Sequence, residues 1–318
     1  MKKKIVSASQ EKFKTSIGGQ ALIEGILMRG PKRQSIVVRS KDGLETKVED
    51  LKLIKDRCPI LGWPLIRGVV NFGSSMVNGV KALMYSANFF PEEEEAEPSR
   101  FEKWMEKRFS SKTLEKILIY FSVFIGILFS IFLFIFLPTI IGGLFNGLVK
   151  SYLIRNLIEG VLRILIFLVY LIGVSRMKDI KRVFAYHGAE HKTIRCYEAK
   201  LELTVENVRK QTRMHPRCGT SFLFLVVIIS ILFFAVLRFE HLLLRLLFRL
   251  LLLPVVVAVS YEITRFVGRH DNWFTRILTA PGMWLQNFTT NEPDDSMIEV
   301  AITAVKLVIP EEEGQDQW

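Results

Sequence analysis

The chain has 318 residues, half of them apolar and 24% charged, and its mean hydropathy of +0.28 is high for a water-soluble protein with that much charge. A net charge of +11 admits nucleic acid or an anionic membrane surface as partner; the basic residues cluster beside apolar runs, so membrane lipids of an anionic inner leaflet are expected and nucleic acid is not. Cys58, Cys196 and Cys218 are an odd set without framework spacing, which argues against a disulfide scaffold and for reduced thiols facing the cytosol.

Met1 to Ile5 begins with lysines but leads into polar sequence, so no cleavable signal peptide is expected. Residues 1–60 read as a small β-rich cytosolic domain. Ser16 to Met28 is apolar with interspersed glycines, Ser35 to Val38 is largely β-branched, and the Asp42-Gly43 pair that follows signals a hairpin. Over residues 61–90, Arg67, Asn71, Asn78 and Lys81 recur at helical spacing on an otherwise apolar surface. That pattern predicts an amphipathic helix, interfacial or docked on other helices. Residues 91–114 are an acidic and then basic linker, with the solvated run Pro91 to Pro98 at its start.

Residues 115–262 carry four apolar segments: Ile117 to Ile141, Leu157 to Val174, Thr220 to Leu237 and Leu242 to Tyr261. A bilayer core needs roughly 20 residues of helix, so the fold class is a mostly α membrane protein with about four transmembrane helices and a small N-terminal β-containing cytosolic domain. The connection 175–219 holds eleven Lys and Arg, whereas the other two connections hold about one each, Lys150 and Arg238. By the positive-inside bias the 175–219 loop and both termini are cytosolic, and the protein is a multi-pass protein of the plasma membrane. Residues 263–318 form a cytosolic C-terminal segment in which Met297 to Ile309 reads as a short helix or strand with one apolar face.

Chemistry concentrates in the basic loop. His187 and His191 are four apart and Glu190 lies between them, so on a helix all three share nearly one face. This is H-x-x-E-H, the inverted zincin pattern, in which two imidazoles bind zinc and the carboxylate acts as general base. His215 and Cys218 lie just before the third apolar segment and supply further nitrogen and sulfur ligands suited to zinc. Cys196 lies five residues beyond His191, rotated off the shared face, and would need a helix break near Thr193 to join them. The same residues also admit a structural reading, with hydrogen-bonded histidines, Glu190 paired to Lys192 or Arg195, and Cys218 as a small buried residue.

Within the membrane segments, Glu159, Arg163, Arg245 and Arg249 fall at similar depths, with Glu159 and Arg163 as an i,i+4 pair. One acid can be neutralised by neighbouring arginines, and surplus arginines are expected to snorkel to lipid phosphates. Transport ranks below the other functions because four spans with a single acid give little sign of a path.

The strings Gly18 to Pro31, His187 to Lys192, His215 to Phe222, Trp284-Leu285-Gln286 and Thr289 to Asp294 together resemble the YqhQ-like bacterial integral membrane proteins, over about Ile17 to Val308. That resemblance implies a predicted metal-dependent enzyme without an established reaction. It also implies that Glu24 and Arg29, in the family's first motif, contribute to the cytosolic site or support it. Two functions stay open from sequence. One is a membrane-embedded, metal-dependent enzyme of the bacterial inner membrane, a zinc hydrolase with Glu190 as base. The other is a non-enzymatic accessory or scaffold in membrane-protein insertion or assembly, partnered by another membrane protein or a second copy, with the His/Cys cluster as a clamp.

Overall fold

The structure is a computed structural model that describes residues 13–51, 58–90, 111–145, 147–239, 241–312 and 314–318; the acidic run 91–98 and the lysine-led start fall outside them. Its elements are strands β1 (Gly18–Leu22), β2 (Gly25–Arg29), β3 (Arg33–Ser40) and β4 (Gly43–Asp50), then helices α1 (Ile66–Ala87), α2 (Ser111–Ile131), a π-turn Phe132–Phe136, α3 (Leu137–Gly143) and α4 (Tyr152–Ser175). There follow α5 (Lys178–Glu198), α6 (Val205–Arg209), α7 (Gly219–Ala235), α8 (Leu242–Arg269), α9 (Trp273–Thr289) and α10 (Asp295–Lys306). The chain divides into two compact units, residues 1–89, 175–222 and 261–318 in one and 90–174 and 223–260 in the other.

In the first unit the four strands make an antiparallel meander in the order β1-β2-β3-β4. Ser40 pairs with Gly43 and leaves Lys41-Asp42 as the two-residue turn, so the Asp-Gly signal marks the hairpin but lies one residue late. Gly43, at φ +134°, opens β4 in a conformation that favours glycine. The edge strand β4 is blunted by exposed Lys47 and Asp50. The core lies between the sheet, α5 and α10, where Ile26, Met28 and Val37 meet Tyr186, Ile298 and Val305. Helix α10 covers the sheet because its apolar residues recur at helical spacing; Asp294 caps its first turn by accepting from the Met297 N–H at 2.9 Å. Ser35 Oγ donates to the Ala304 carbonyl at 2.8 Å, tying sheet to helix. Helix α1 docks through its polar stripe: Arg67 forks onto the Glu262 carboxylate at 2.7 and 2.5 Å, and Asn71 donates to the Tyr261 hydroxyl at 2.8 Å. The C-terminal segment is helical from Met297, and before that it contains a further helix, α9, which periodicity does not announce because Pro281 lies inside it.

Among the described residues three helices are long and apolar enough to cross a membrane: Ile117–Gly143, Tyr152–Ser175 and Leu242–Arg269. Helix α7 is apolar but spans 17 residues. Exposed Phe121, Phe124 and Val169 give the lipid-facing surface such helices require. The intramembrane charges depart from expectation in two respects. Glu159 pairs with Arg245 at 2.7 Å and with Arg249, while Arg163, four residues on, forms no ion pair with it among the described residues. Arg163 instead donates to the Phe134 carbonyl at 2.8 Å and to Ser230 Oγ at 2.9 Å. The reason is local: Pro138, four residues after Phe134, has no N–H to satisfy that carbonyl, and the π-turn leaves it available. Nor do these arginines snorkel. Arg163, Arg245 and Arg249 are buried, because carboxylate, carbonyl and hydroxyl acceptors inside the bundle replace lipid phosphate; Arg249 also donates to Thr139 Oγ1 and, at 3.2 Å, to Asn156 Oδ1.

Candidate metal centre

The site is built on α5, whose second half is buried on nearly every side from Ala185 to Cys196 despite its polar composition. Two segments distant in sequence enclose it. The turn 213–218 is held by Gln286 of α9, which accepts the His215 N–H and donates to the His215 carbonyl, both at 2.8 Å, and by Arg195, which donates to the Met214 carbonyl at 2.5 Å. The strap 289–294 crosses α5 where Gly188 leaves room: any Cβ there would collide with the Asn291 carbonyl. Asn291 donates through its N–H to the Phe184 carbonyl at 2.8 Å and through Nδ2 to the Lys181 carbonyl at 3.0 Å. Buried Lys192 pairs with Glu292.

These segments bring His187, His191 and Cys218 together, with their ligand atoms within 4.8 Å of one another. The His187 and His191 rings lie 4.3 Å apart, as the i,i+4 spacing requires. Each ring is oriented by the strap or the turn: His187 Nδ1 lies 2.8 Å from the Thr289 carbonyl and His191 Nδ1 2.6 Å from the Arg213 carbonyl. A carbonyl only accepts, so each Nδ1 carries the proton and each Nε2 is left for the cluster, the orientation that metal-binding histidines adopt. His187 Nε2 lies 3.1 Å from Cys218 Sγ. Cys218 sits at the start of α7, where the Thr220 N–H points at its sulfur at 3.5 Å.

The electrostatics suit a thiolate. Burial alone would push the Cys218 thiol up, but His187 and His191 reverse this and hold it well below its ordinary value. Burial likewise opposes charge on His187, but attraction to Cys218 and a hydrogen bond donated to its sulfur, with Glu190 behind, carry it to about 9. Burial raises the Glu190 carboxyl against the pull of the two histidines. Glu190 accepts the Gly19 N–H at 2.9 Å, and glycine is needed there because a Cβ would stand 2.6 Å from the Leu27 carbonyl and 3.2 Å from the Glu190 carboxyl carbon.

The other residues that the sequence singles out are placed differently. His215 lies outside the three-atom group, though its ring is 5.5 Å from that of His191; its Nε2 is 3.5 Å from Glu198, and burial lowers it to about 4. Cys196 stays on an unbroken helix in the apolar core, its Sγ 3.6 Å from the Glu202 carbonyl. Glu24 pairs with Arg182 near the start of α5 and accepts from the Tyr186 hydroxyl at 3.2 Å, so it anchors the helix one turn before the histidines. Arg29 lines the cavity onto which His187, Glu190, His191 and Cys218 open. Sequence reasoning missed the two carbonyls, which carry no side-chain signature, and Glu198, Gln286 and Glu292. Gln286 and Glu292 lie in the strings Trp284 to Gln286 and Thr289 to Asp294, which signalled a family but not a role.

Donor set and orientation fit zinc, which favours imidazole and thiolate and in catalytic sites takes three protein ligands with one position open. Fold and site thus define a class: a mostly helical membrane protein with three candidate spans and an antiparallel sheet packed on a buried His/Glu helix. The chain belongs to the family described as "Protein of unknown function (DUF1385)", whose model matches residues 63–311. Over 303 residues it is 33% identical to the "Uncharacterized protein YqhQ" of Bacillus subtilis (strain 168), with 92% of each chain covered. No solved structure matches it.

Proposed function

We propose that the protein is a four-span enzyme of the plasma membrane, with both termini cytosolic, that uses zinc to hydrolyse a substrate at the inner face. The observation that carries this reading is the convergence of His187 Nε2, His191 Nε2 and Cys218 Sγ, with both Nδ1 atoms committed to backbone carbonyls. Zinc held there supplies a Lewis acid to the reaction. Glu190 faces the same cavity with a carboxyl whose affinity for protons is raised by burial, as a general base working near neutral pH needs. Gly19 fixes its orientation through the backbone N–H. Gln286 and Arg195 position the turn that delivers Cys218.

Metal analysis of the full-length protein in detergent tests this. Near-stoichiometric zinc is expected, lost in His187→Ala, His191→Ala and Cys218→Ser and retained in Glu190→Gln and His215→Ala. Protein without metal that does not take up added zinc would overturn the reading. A scaffold reading draws on the way the same cluster ties α5 to the 213–218 turn and the 289–294 strap. In that case Glu190→Gln supports growth or assembly as well as the wild type while His187→Ala does not; an enzyme loses function in both.

A further inference from the structure

The cavity above the His/His/Cys group has a volume of about 810 Å³ and lies wholly within the unit that contains the sheet. Five arginines line it, Arg29, Arg67, Arg217, Arg265 and Arg269, and Glu190 is the one acidic side chain among the described lining residues. Two of the five are already neutralised, Arg67 by Glu262 and Arg217 by Glu198. Among the described residues no carboxylate makes an ion pair with Arg29, Arg265 or Arg269, although Arg265 is close enough to Glu262 to help lower its carboxyl.

Burial pushes the Arg29 guanidinium below its ordinary value, and the group that compensates it is the Tyr261 side chain rather than a carboxylate. Tyr261 stands one helical turn before Arg265 on α8, which brings the β2 arginine up to the wall that carries Arg265 and Arg269. Arg265 and Arg269 are themselves one turn apart, on one face of the helix. Arg29 and Arg265 are half-buried and Arg269 is exposed; two partly desolvated cations with a third at the mouth make the cavity suited to a multiply charged anion, because cations drawn from water without a counterion are costly. A phosphate ester carries roughly −1.5 to −2 charge at neutral pH and presents oxygens that the guanidinium fork matches in pairs. Amide and hydroxyl side chains, among them Gln34, Asn71 and Ser75, line the rest of the wall and suit a polar group attached to that phosphate.

We infer that this cavity binds a phosphate-bearing substrate, its phosphate held by Arg29 and Arg265 with Arg269 at the rim, and its ester directed toward Glu190. This deepens the hydrolase reading and rests on it for the word substrate; the binding itself does not. The phosphate can belong to a lipid headgroup or to a soluble phosphomonoester, and α8, a candidate membrane span that reaches Arg269, gives access to either.

The test is equilibrium binding of inorganic phosphate, glycerol 3-phosphate and short-chain phosphatidic acid to the full-length protein in detergent. Saturable binding is expected, weakened about ten- to a hundredfold in Arg29→Gln and in Arg265→Gln and unchanged in Arg209→Gln, which removes the same charge from an exposed pair with Asp295 outside the cavity. Should Arg29→Gln not fold, Arg265→Gln, half-buried on a helix, decides the matter. A clear preference for phosphatidic acid over glycerol 3-phosphate assigns the headgroup source, and equal affinity assigns the soluble one. Absence of saturable binding, binding indifferent to both cavity variants, or equal loss in Arg209→Gln would overturn the inference. Zinc content read on the same samples separates the claims: metal-free protein that binds phosphate sinks the zinc reading alone, and zinc-loaded protein that binds none sinks this one alone.

Discussion

His215 and Glu198 show how a histidine beside a cluster can be excluded from it by one carboxylate. Glu198 takes the Thr15 N–H at 2.9 Å and pairs with Arg217, so His215 Nε2 turns to it and away from the group formed by His187, His191 and Cys218. Burial would raise the Glu198 carboxyl, but the hydrogen bond from His215 and the charge of Arg217 outweigh it and hold the group below its ordinary value. A carboxyl depressed in the folded state contributes stability above its unfolded pKa of about 4.3, and that contribution is lost as pH falls through the folded value. Glu198→Gln is therefore expected to cost about 2 kcal/mol at pH 7, since it leaves the buried Arg217 unpaired. The gap to wild type should close as pH drops below about 4.3. Thermal unfolding in detergent at pH 7, 5 and 4 reads this directly, and a gap that widens on acidification contradicts the assignment.

Helix α5 depends on the strap that crosses it, and Gly188 is where that dependence is greatest. A methyl group at this position meets backbone, the Asn291 carbonyl, rather than a side chain that can rotate, so Gly188→Ala must lift the strap and with it the Thr289 carbonyl that orients His187. Overpacking of this kind costs about 1–3 kcal/mol, and lower melting temperature together with reduced zinc occupancy is the expected result. Gly73→Ala on α1 is the control: a Cβ there meets nothing within 4 Å, and alanine favours helix by about 1 kcal/mol over glycine. The same element marks how far the sequence could be read. Three candidate membrane spans and the β3–β4 hairpin were legible because apolar runs and turn residues act locally. The i,i+4 histidines were legible because a helix alone brings them together. That Glu190, His191 and Lys192 would be buried was not, since α5 reads as a polar helix and its cover comes from residues 15–29 and 286–294. Nor was the choice of Cys218 over His215, which depends on where Glu198 and Gln286 hold a turn.

At the scale of the whole molecule, the proposed four crossings can be argued from which parts of the chain share a core. Residues 17–37 before the first candidate span, α5 between the second and α7, and α10 after α8 pack into one cluster through Met28, Tyr186 and Ile298. They must therefore lie on one side of a membrane. Residues 90–174 meet that condition with two candidate spans, out and back. Residues 223–260 meet it only with an even number of crossings, and α8 supplies one. On the proposed four-span reading helix α7 supplies the other, although its 17 residues reach about 26 Å against a hydrocarbon core of about 30 Å. Thinning of the bilayer or the flanking Val236 and Leu237 can cover a deficit of that size at modest cost. This parity, together with the eleven Lys and Arg of residues 175–219, supports four spans with the shared core in the cytosol. Single cysteines in an otherwise cysteine-free chain test it. Lys150→Cys and Arg238→Cys are expected to react with a membrane-impermeant maleimide in intact cells, and Lys200→Cys and Lys306→Cys only after permeabilisation. Labelling of Arg238→Cys from the cytosolic side alone would mean that α7 does not cross, and would oblige one of the three core segments to fold elsewhere.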